Sequence, residues 1–245
     1  MVMTIARRLE IFSLFQKTEK TFELSAYGVS LRTRRNDLTF NYALQGHYGE
    51  FISSIIKEVK VETIFLDIGA NIGLYSLLAD QNPMIKVVHS FEPDPVTFLY
   101  LQDNVEHCRS KKIHFHNCAV GPVDQDINLY QRYGHSGGAT LLPLKRHLNG
   151  VTKSIKMINE FHLNDLLGDY DYPYVIKIDV EGFELEVFRT LLKTKFFPNI
   201  TQFIIEFDAN YGNVRELTNL LLHSSFREAG RSSEGDHWDA YWVKY

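Results

Sequence analysis

The chain has 245 residues, 44% of them apolar, enough for a core and one domain with a small addition, and not the make-up of a disordered or collagen-like polymer. Thirty acidic residues face 26 basic ones, a net charge of −4, so no global positive field draws in a phosphate polymer and no nucleic acid partner is expected. No apolar run approaches the roughly 20 residues that cross a bilayer, no signal-peptide core is evident, and Cys108 and Cys118 lack CxxC spacing, so a cytoplasmic protein with reduced thiols and no integral membrane segment is expected.

At the amino end, Ile5, Leu9, Phe12 and Phe15 recur at helical spacing among Arg7, Arg8, Glu10 and Lys17, which predicts an amphipathic helix over residues 1–17. Alternation over residues 21–34, with a turn at Tyr27-Gly28, predicts a short hairpin, and a helix follows near residues 47–60. These elements read as an extension over residues 1–60, packed on a main domain of residues 61–245.

From residue 63 short runs of Ile, Val and Phe alternate with helical segments, the rhythm of a mostly parallel α/β sheet with helices on both faces. Strands are expected at 63–67, 86–91 and 113–120, with helices at 72–79 and 95–107 between them. A polar strand at 127–131, a glycine-rich loop at 134–138 and a strand near 154–160 look like an insertion. The pattern then resumes with a buried strand at 174–179, a helix at 183–194, a strand at 202–207, a helix at 214–223 and a closing strand at 238–244.

The first strand runs into Asp67-Ile68-Gly69-Ala70-Asn71-Ile72-Gly73, a turn of small residues. Gly69 can take positive φ, Asn71 tolerates the left-handed region, and Gly73 lets the following helix come close to strand and ligand. In open α/β sheets the ligand lies beyond the carboxyl ends of the strands, where this turn must sit. Glu92, in Phe91-Glu92-Pro93, stands at the end of the second strand and can accept hydrogen bonds from the ribose hydroxyls of an adenosine; a helix-capping acid is the plainer alternative. The loop lacks GxGxxG, which disfavours a nicotinamide dehydrogenase, and lacks GxxxxGK[ST], which disfavours a P-loop enzyme. A fold-sharing binding module without chemistry remains a further alternative.

A second constellation, Lys177-Ile178-Asp179-Val180-Glu181-Gly182, puts three charged residues at the end of an otherwise apolar strand. Strand alternation places Lys177, Asp179 and Glu181 on one side, where they must be paired or line a wet site.

Residues 64–73, Phe91 to Pro93, 117–121, Lys177 to Glu184 and 204–207 together resemble the successive motifs of FkbM-type methyltransferases. The resemblance implies a Rossmann-like class I methyltransferase fold with a seven-stranded sheet, and S-adenosylmethionine as cofactor. It also implies, as the usual acceptor, an oxygen on a sugar or natural product. On that basis Asp67, Gly69, Ala70, Asn71 and Gly73 would serve the methionine part, Glu92 and Pro93 the ribose, and Asn117, Cys118 and Ala119 the neighbourhood of adenine.

Methyl transfer to a hydroxyl needs two reactants aligned and one proton removed. Asp179 is the first candidate base, with Lys177 orienting it and Glu181 in support, while His135 in the glycine-rich loop is a second candidate. Tyr42, Tyr48, Tyr133, Tyr211 and Trp238 could stack on sugar rings, although core packing accounts for most such residues. His114, His116 and Cys118 alternate along one strand but lack a fourth ligand for zinc, and Asp179, Glu181 and Glu206 offer an oxygen set that magnesium could use, so no metal is assigned.

Overall fold

The computed structural model describes residues 20–47, 49–143, 150–168 and 170–245; the helix expected over residues 1–17 and Tyr48 lie outside them. The hairpin forms as β1 (Phe22–Leu24) and β2 (Ser30–Arg32), with Gly28 in its turn at φ 84°. Between it and the sheet stand two helices where one was expected, α1 (Leu38–Gln45) and α2 (Glu50–Lys57). Asp37 starts α1 by accepting from the Phe40 amide, and Gly46 ends it at φ 75°, so both caps were written in the sequence.

The main sheet is built from β3 (Thr63–Ile68), β4 (Ile85–Phe91), β5 (Ile113–His116), β9 (Tyr174–Ile178), β10 (Ile200–Asp208), β11 (Phe226–Arg231) and β12 (His237–Lys244). Its seven strands lie in the order β11-β12-β10-β9-β3-β4-β5, and β12 runs antiparallel to both of its neighbours. The strand order reverses between β3 and β9, and that switch point is where an open sheet leaves a crevice. Helices α3 (Leu74–Gln81), α4 (Pro95–Cys108), α6 (Glu184–Leu191) and α7 (Val214–His223) cover the sheet. Strand alternation sorts the core: Ile64, Leu66, Ile176 and Ile178 face one layer with Phe188 and Phe203, while Phe65, Val175 and Ile204 face the other with Leu77, Phe40 and Ile56.

Several expectations need correction. The third strand is two pieces, because the Asn117 side-chain amide donates to the carbonyls of Glu92 (2.8 Å) and Pro93 (3.1 Å) and bends the chain away after His116. Its continuation, β6 (Ala119–Val120), joins β7 (Gln125–Gln131) and β8 (Val151–Ile158) in a separate three-stranded sheet. A helix, α5 (Glu160–Leu167), follows β8 directly behind the Asn159 cap. The final strand β12 is not the closing edge, since it inserts between β10 and β11, and β11 itself was not foreseen. The alternation expected through Glu181 stops at Ile178, because Glu181 and Gly182 both turn to positive φ (53° and 98°).

Candidate active site

At the end of β3 the amides of Gly69 and Ala70 both donate to the Phe91 carbonyl, at 3.0 and 2.9 Å, which ties the loop to β4. Gly69 sits at φ 81°, and a Cβ there would fall 1.8 Å from the Asp179 carbonyl oxygen, so only glycine allows the β3 and β9 ends to meet. Gly73, at φ 89°, also passes close to Leu101 of α4, whose side chain lies 2.5 Å from where a Cβ would stand. Asn71 adopts φ 49° and receives the Ile72 amide on its own side-chain oxygen.

Glu92 is 6% exposed and accepts one backbone hydrogen bond on each carboxylate oxygen, from Asn71 (2.9 Å) and Asp94 (2.8 Å). Burial pushes its carboxyl up to about 8, against the pull of those two amides. Each oxygen keeps a lone pair, so a ligand donating two hydroxyls would complete the set and favour the ionised form.

Below the loop lies a buried polar floor. Asp67 is fully buried, accepts from the Ser76 hydroxyl at 2.6 Å and pairs with the Lys177 ammonium at 3.1 Å. Lys177, 1% exposed, also donates to the Gly69 carbonyl at 2.7 Å and reaches the Asp179 carboxylate at 3.3 Å, so its ammonium sits among three oxygen neighbours. Burial opposes its charge, yet Asp179 and Asp67 outweigh that effect and hold its pKa above the ordinary lysine value. Asp179 differs from Asp67 in being 28% exposed, at the edge of the space above.

That space is a cavity of about 530 Å³ at the switch point, in the size range of small-molecule sites. Gly69, Ala70, Asn71, Glu92 and Pro93 line one end of it, with Cys118 and Ala119 beside them. Lys177, Asp179, Glu181 and His135 also reach its wall. Asp67 and Gly73 support this surface from beneath, and Asn117 is exposed, with its amide spent on strand-end carbonyls. Tyr42 and Trp238 line the cavity, and the Tyr211 hydroxyl donates to Glu181 at 3.1 Å, whereas Tyr133 is 79% exposed outside it.

Sequence reasoning missed Thr39, Ile52, His237 and Asp239, which complete the wall from α1, α2 and β12. Thr39 is held by a latch: the Asp37 carboxylate accepts from the Ser136 amide and hydroxyl, both at 2.9 Å, and the Thr39 hydroxyl accepts from the Gly137 amide at 2.8 Å. The Ser136 hydroxyl also lies 3.0 Å from the Asn71 side-chain oxygen, so the glycine-rich loop, α1 and the loop after β3 share one polar cluster. The Asp37 cap ahead of α1 was the available signal.

Beyond Asp179 the carboxyl groups crowd together. Glu206 of β10 pairs in register with Asp239 of β12, and the His237 ring lies 2.7 Å from Glu206. Burial raises the Glu206 pKa well above its ordinary value, reinforced by Asp179, Glu181, Glu184 and Asp239. Burial and Asp179 push Asp239 up to about 6 against His237 and Lys177, and burial lifts Glu184 to about 7 although the Gly182 amide donates to it.

The histidines of β5 do not gather with Cys118. His114 and His116 stack on His89 of β4, and burial depresses His89 to about 3 and His116 to about 4, whereas Cys118 lies in the cavity wall with its thiol pushed up by burial to about 12. Among the described residues no group of three or more His, Cys, Asp or Glu is placed to hold a metal ion, and no helix is long and apolar enough to cross a membrane.

Comparison with known proteins gives this arrangement a context. The methyltransferase FkbM domain matches residues 67–241. Methyltransferase 1 of Beauveria bassiana is 26% identical over 184 residues, 69% of this chain and 74% of that protein. Hexuronic acid methyltransferase AglP of Haloferax volcanii is 28% identical over 182 residues, 70% of this chain and 66% of that protein. Among solved structures, the FkbM methyltransferase from Methylobacillus flagellatus superposes with a TM-score of 0.51 at 19% identity over 75% of this chain and 43% of that one. Trm5b from Pyrococcus abyssi superposes with a TM-score of 0.50 at 10% identity over 92% of this chain and 56% of its own; these two likenesses concern the fold. The chain thus spans less than half of the Methylobacillus protein and just under two thirds of AglP.

Proposed function

This chain belongs to the methyltransferase FkbM family, with S-adenosylmethionine as cofactor, and on that premise we propose that it methylates a hydroxyl oxygen of a saccharide or small natural-product acceptor. When bound, that cofactor would supply an electrophilic methyl group, carried on a sulfonium, for transfer to the acceptor oxygen. The loop of Gly69 to Ile72 and the Glu92 carboxylate are the parts of this chain that would hold it, the first by small size and backbone contact, the second by accepting from ribose hydroxyls.

The observation that carries the proposal is the partly exposed Asp179 carboxylate, held 3.3 Å from a buried lysine and beside the cofactor loop. Lys177 fixes the direction of that carboxylate, which is placed to take the hydroxyl proton as the new bond forms. Glu181, turned by its positive φ and held by Tyr211, stands by as a second acceptor wall. His135 faces the same cavity from the glycine-rich loop, which would close off water on that side. The sugar-directed part of the reading is supported by the named specificity of the Haloferax relative and by the aromatic wall at Tyr42 and Trp238.

Asp179→Asn is expected to lower kcat by about 10²- to 10⁴-fold while the affinity for S-adenosylmethionine stays within about threefold, as single-turnover methyl transfer and calorimetry would show. Unchanged turnover in that variant would move the base elsewhere, with His135→Ala the next substitution to assay.

A further inference from the structure

We infer that the acceptor seated in this cavity is an uncharged or amine-bearing polyol, with no carboxylate or phosphate beside the hydroxyl it presents; the inference rests on the methyl-transfer reading above. The cofactor end of the cavity is set by β3 and β4, whereas Glu206 and Asp239 belong to β10 and β12, two and three strands from β3. At about 4.8 Å per strand that is roughly 10 and 14 Å away, past the loop that would hold the cofactor.

Three strands therefore bring carboxylates to one wall: Asp179 after β9, Glu206 on β10 and Asp239 on β12, with Glu181 beside them. Glu206 and Asp239 stand directly opposite each other in the antiparallel ladder, an arrangement of like charges that weakens a sheet. Neither is in ion-pair contact with a lysine or arginine, because Lys177 is the only one lining the cavity among the described residues, and its ammonium is held between Asp67, Asp179 and the Gly69 carbonyl. The His237 ring, 59% exposed, lies 2.7 Å from Glu206, and His135 reaches the cavity from the glycine-rich loop. Such a wall accepts hydroxyl and ammonium donors, and an anion set beside it would add to the like-charge crowding that already raises Glu206 and Asp239. The hexuronic acid named for the Haloferax relative has the wrong charge for this cavity.

Matched acceptor series separate charge from bulk. A panel of methyl glycosides, each with its uronate, uronamide and 2-amino counterparts, is scored for binding to the protein saturated with S-adenosylhomocysteine by saturation-transfer NMR. The uronamide is the uncharged isostere of the uronate, so the inference expects uronates to bind at least tenfold more weakly than uronamides, and amino sugars as well as the parent glycosides or better. Glu206→Gln and Asp239→Asn, each folded by circular dichroism, should narrow the uronate–uronamide gap severalfold, and 0.5 M salt should narrow it in the wild type. Uronates binding as well as uronamides, or a panel without any ordering by charge, including one in which nothing binds, overturns the inference. Charge-ordered binding with no methyl transfer to any panel member would instead count against the methyl-transfer reading and leave the acidic wall standing.

Discussion

The two ends of the cavity are built differently. The cofactor end is assembled from one turn and one strand tip, and its contacts are largely backbone hydrogen bonds: Gly69 and Ala70 to Phe91, Asn71 and Asp94 to Glu92. The opposite end is assembled from side chains carried by β9, β10, β12, the glycine-rich loop and α1, segments far apart in the chain. A rigid backbone cradle suits a ligand shared by a whole family, and a side-chain wall suits a partner that changes from one member to the next.

That contrast can be broken first at the point where the two ends meet. Lys177→Met removes the one cation between Asp67 and Asp179, leaving a fully buried carboxylate without its countercharge, and should cost about 3–5 kcal/mol of stability. At about 2–4 °C per kcal/mol for a chain of this size, Tm should fall by roughly 10 °C in a thermal melt. A Tm within 2 °C of the wild type would show that the lysine is not the link between the halves.

A smaller effect is expected at the cofactor end alone. Glu92→Gln removes the acceptor of two hydroxyls that becomes charged in the complex and should weaken S-adenosylmethionine binding by about 10- to 100-fold, the worth of roughly 1.5–3 kcal/mol in charge-assisted hydrogen bonds. Acceptor binding to the S-adenosylhomocysteine complex should move by less than threefold. Equal losses for both ligands would erase the division between the two ends.

The smallest effect is expected at the latch. Asp37→Ala removes the acceptor of the Ser136 amide and hydroxyl and the cap of α1, which should lower stability by about 1–2 kcal/mol. The acceptor KM should rise severalfold with kcat nearly unchanged, because Thr39 and Tyr42 line the wall without touching the floor at Asp67 and Lys177. A change confined to kcat would contradict the latch.

The same division explains what was legible in the sequence. The loop after β3, Glu92 and the Lys177-Asp179 pair are local: glycine spacing, a strand-end acid and an out-of-place charge are visible along the chain. His237 and Asp239 were invisible because their role depends on β12 entering between β10 and β11, a pairing set by tertiary packing and not by local alternation. Glu181 was placed on the right wall for an incomplete reason, since its positive φ ends the strand that alternation had extended through it. Asn117, expected near the adenine, has a part that local pattern did not show: its amide bonds the Glu92 and Pro93 carbonyls and bends the chain so that Cys118 and Ala119 line the cavity.

The central claim is that S-adenosylmethionine is gripped between the β3 loop and a buried, largely protonated Glu92. Because the free carboxyl titrates at about 8 and ribose hydroxyls favour its ionised form, binding at pH 7 must expel a proton, and affinity should climb through pH 6 to 8 and level off above. Titration calorimetry at pH 7 in two buffers of different ionisation enthalpy reads this directly. Release of close to one proton per ligand, lost in Glu92→Gln, is the predicted result; binding with no proton release, or no binding heat in either buffer, would contradict it.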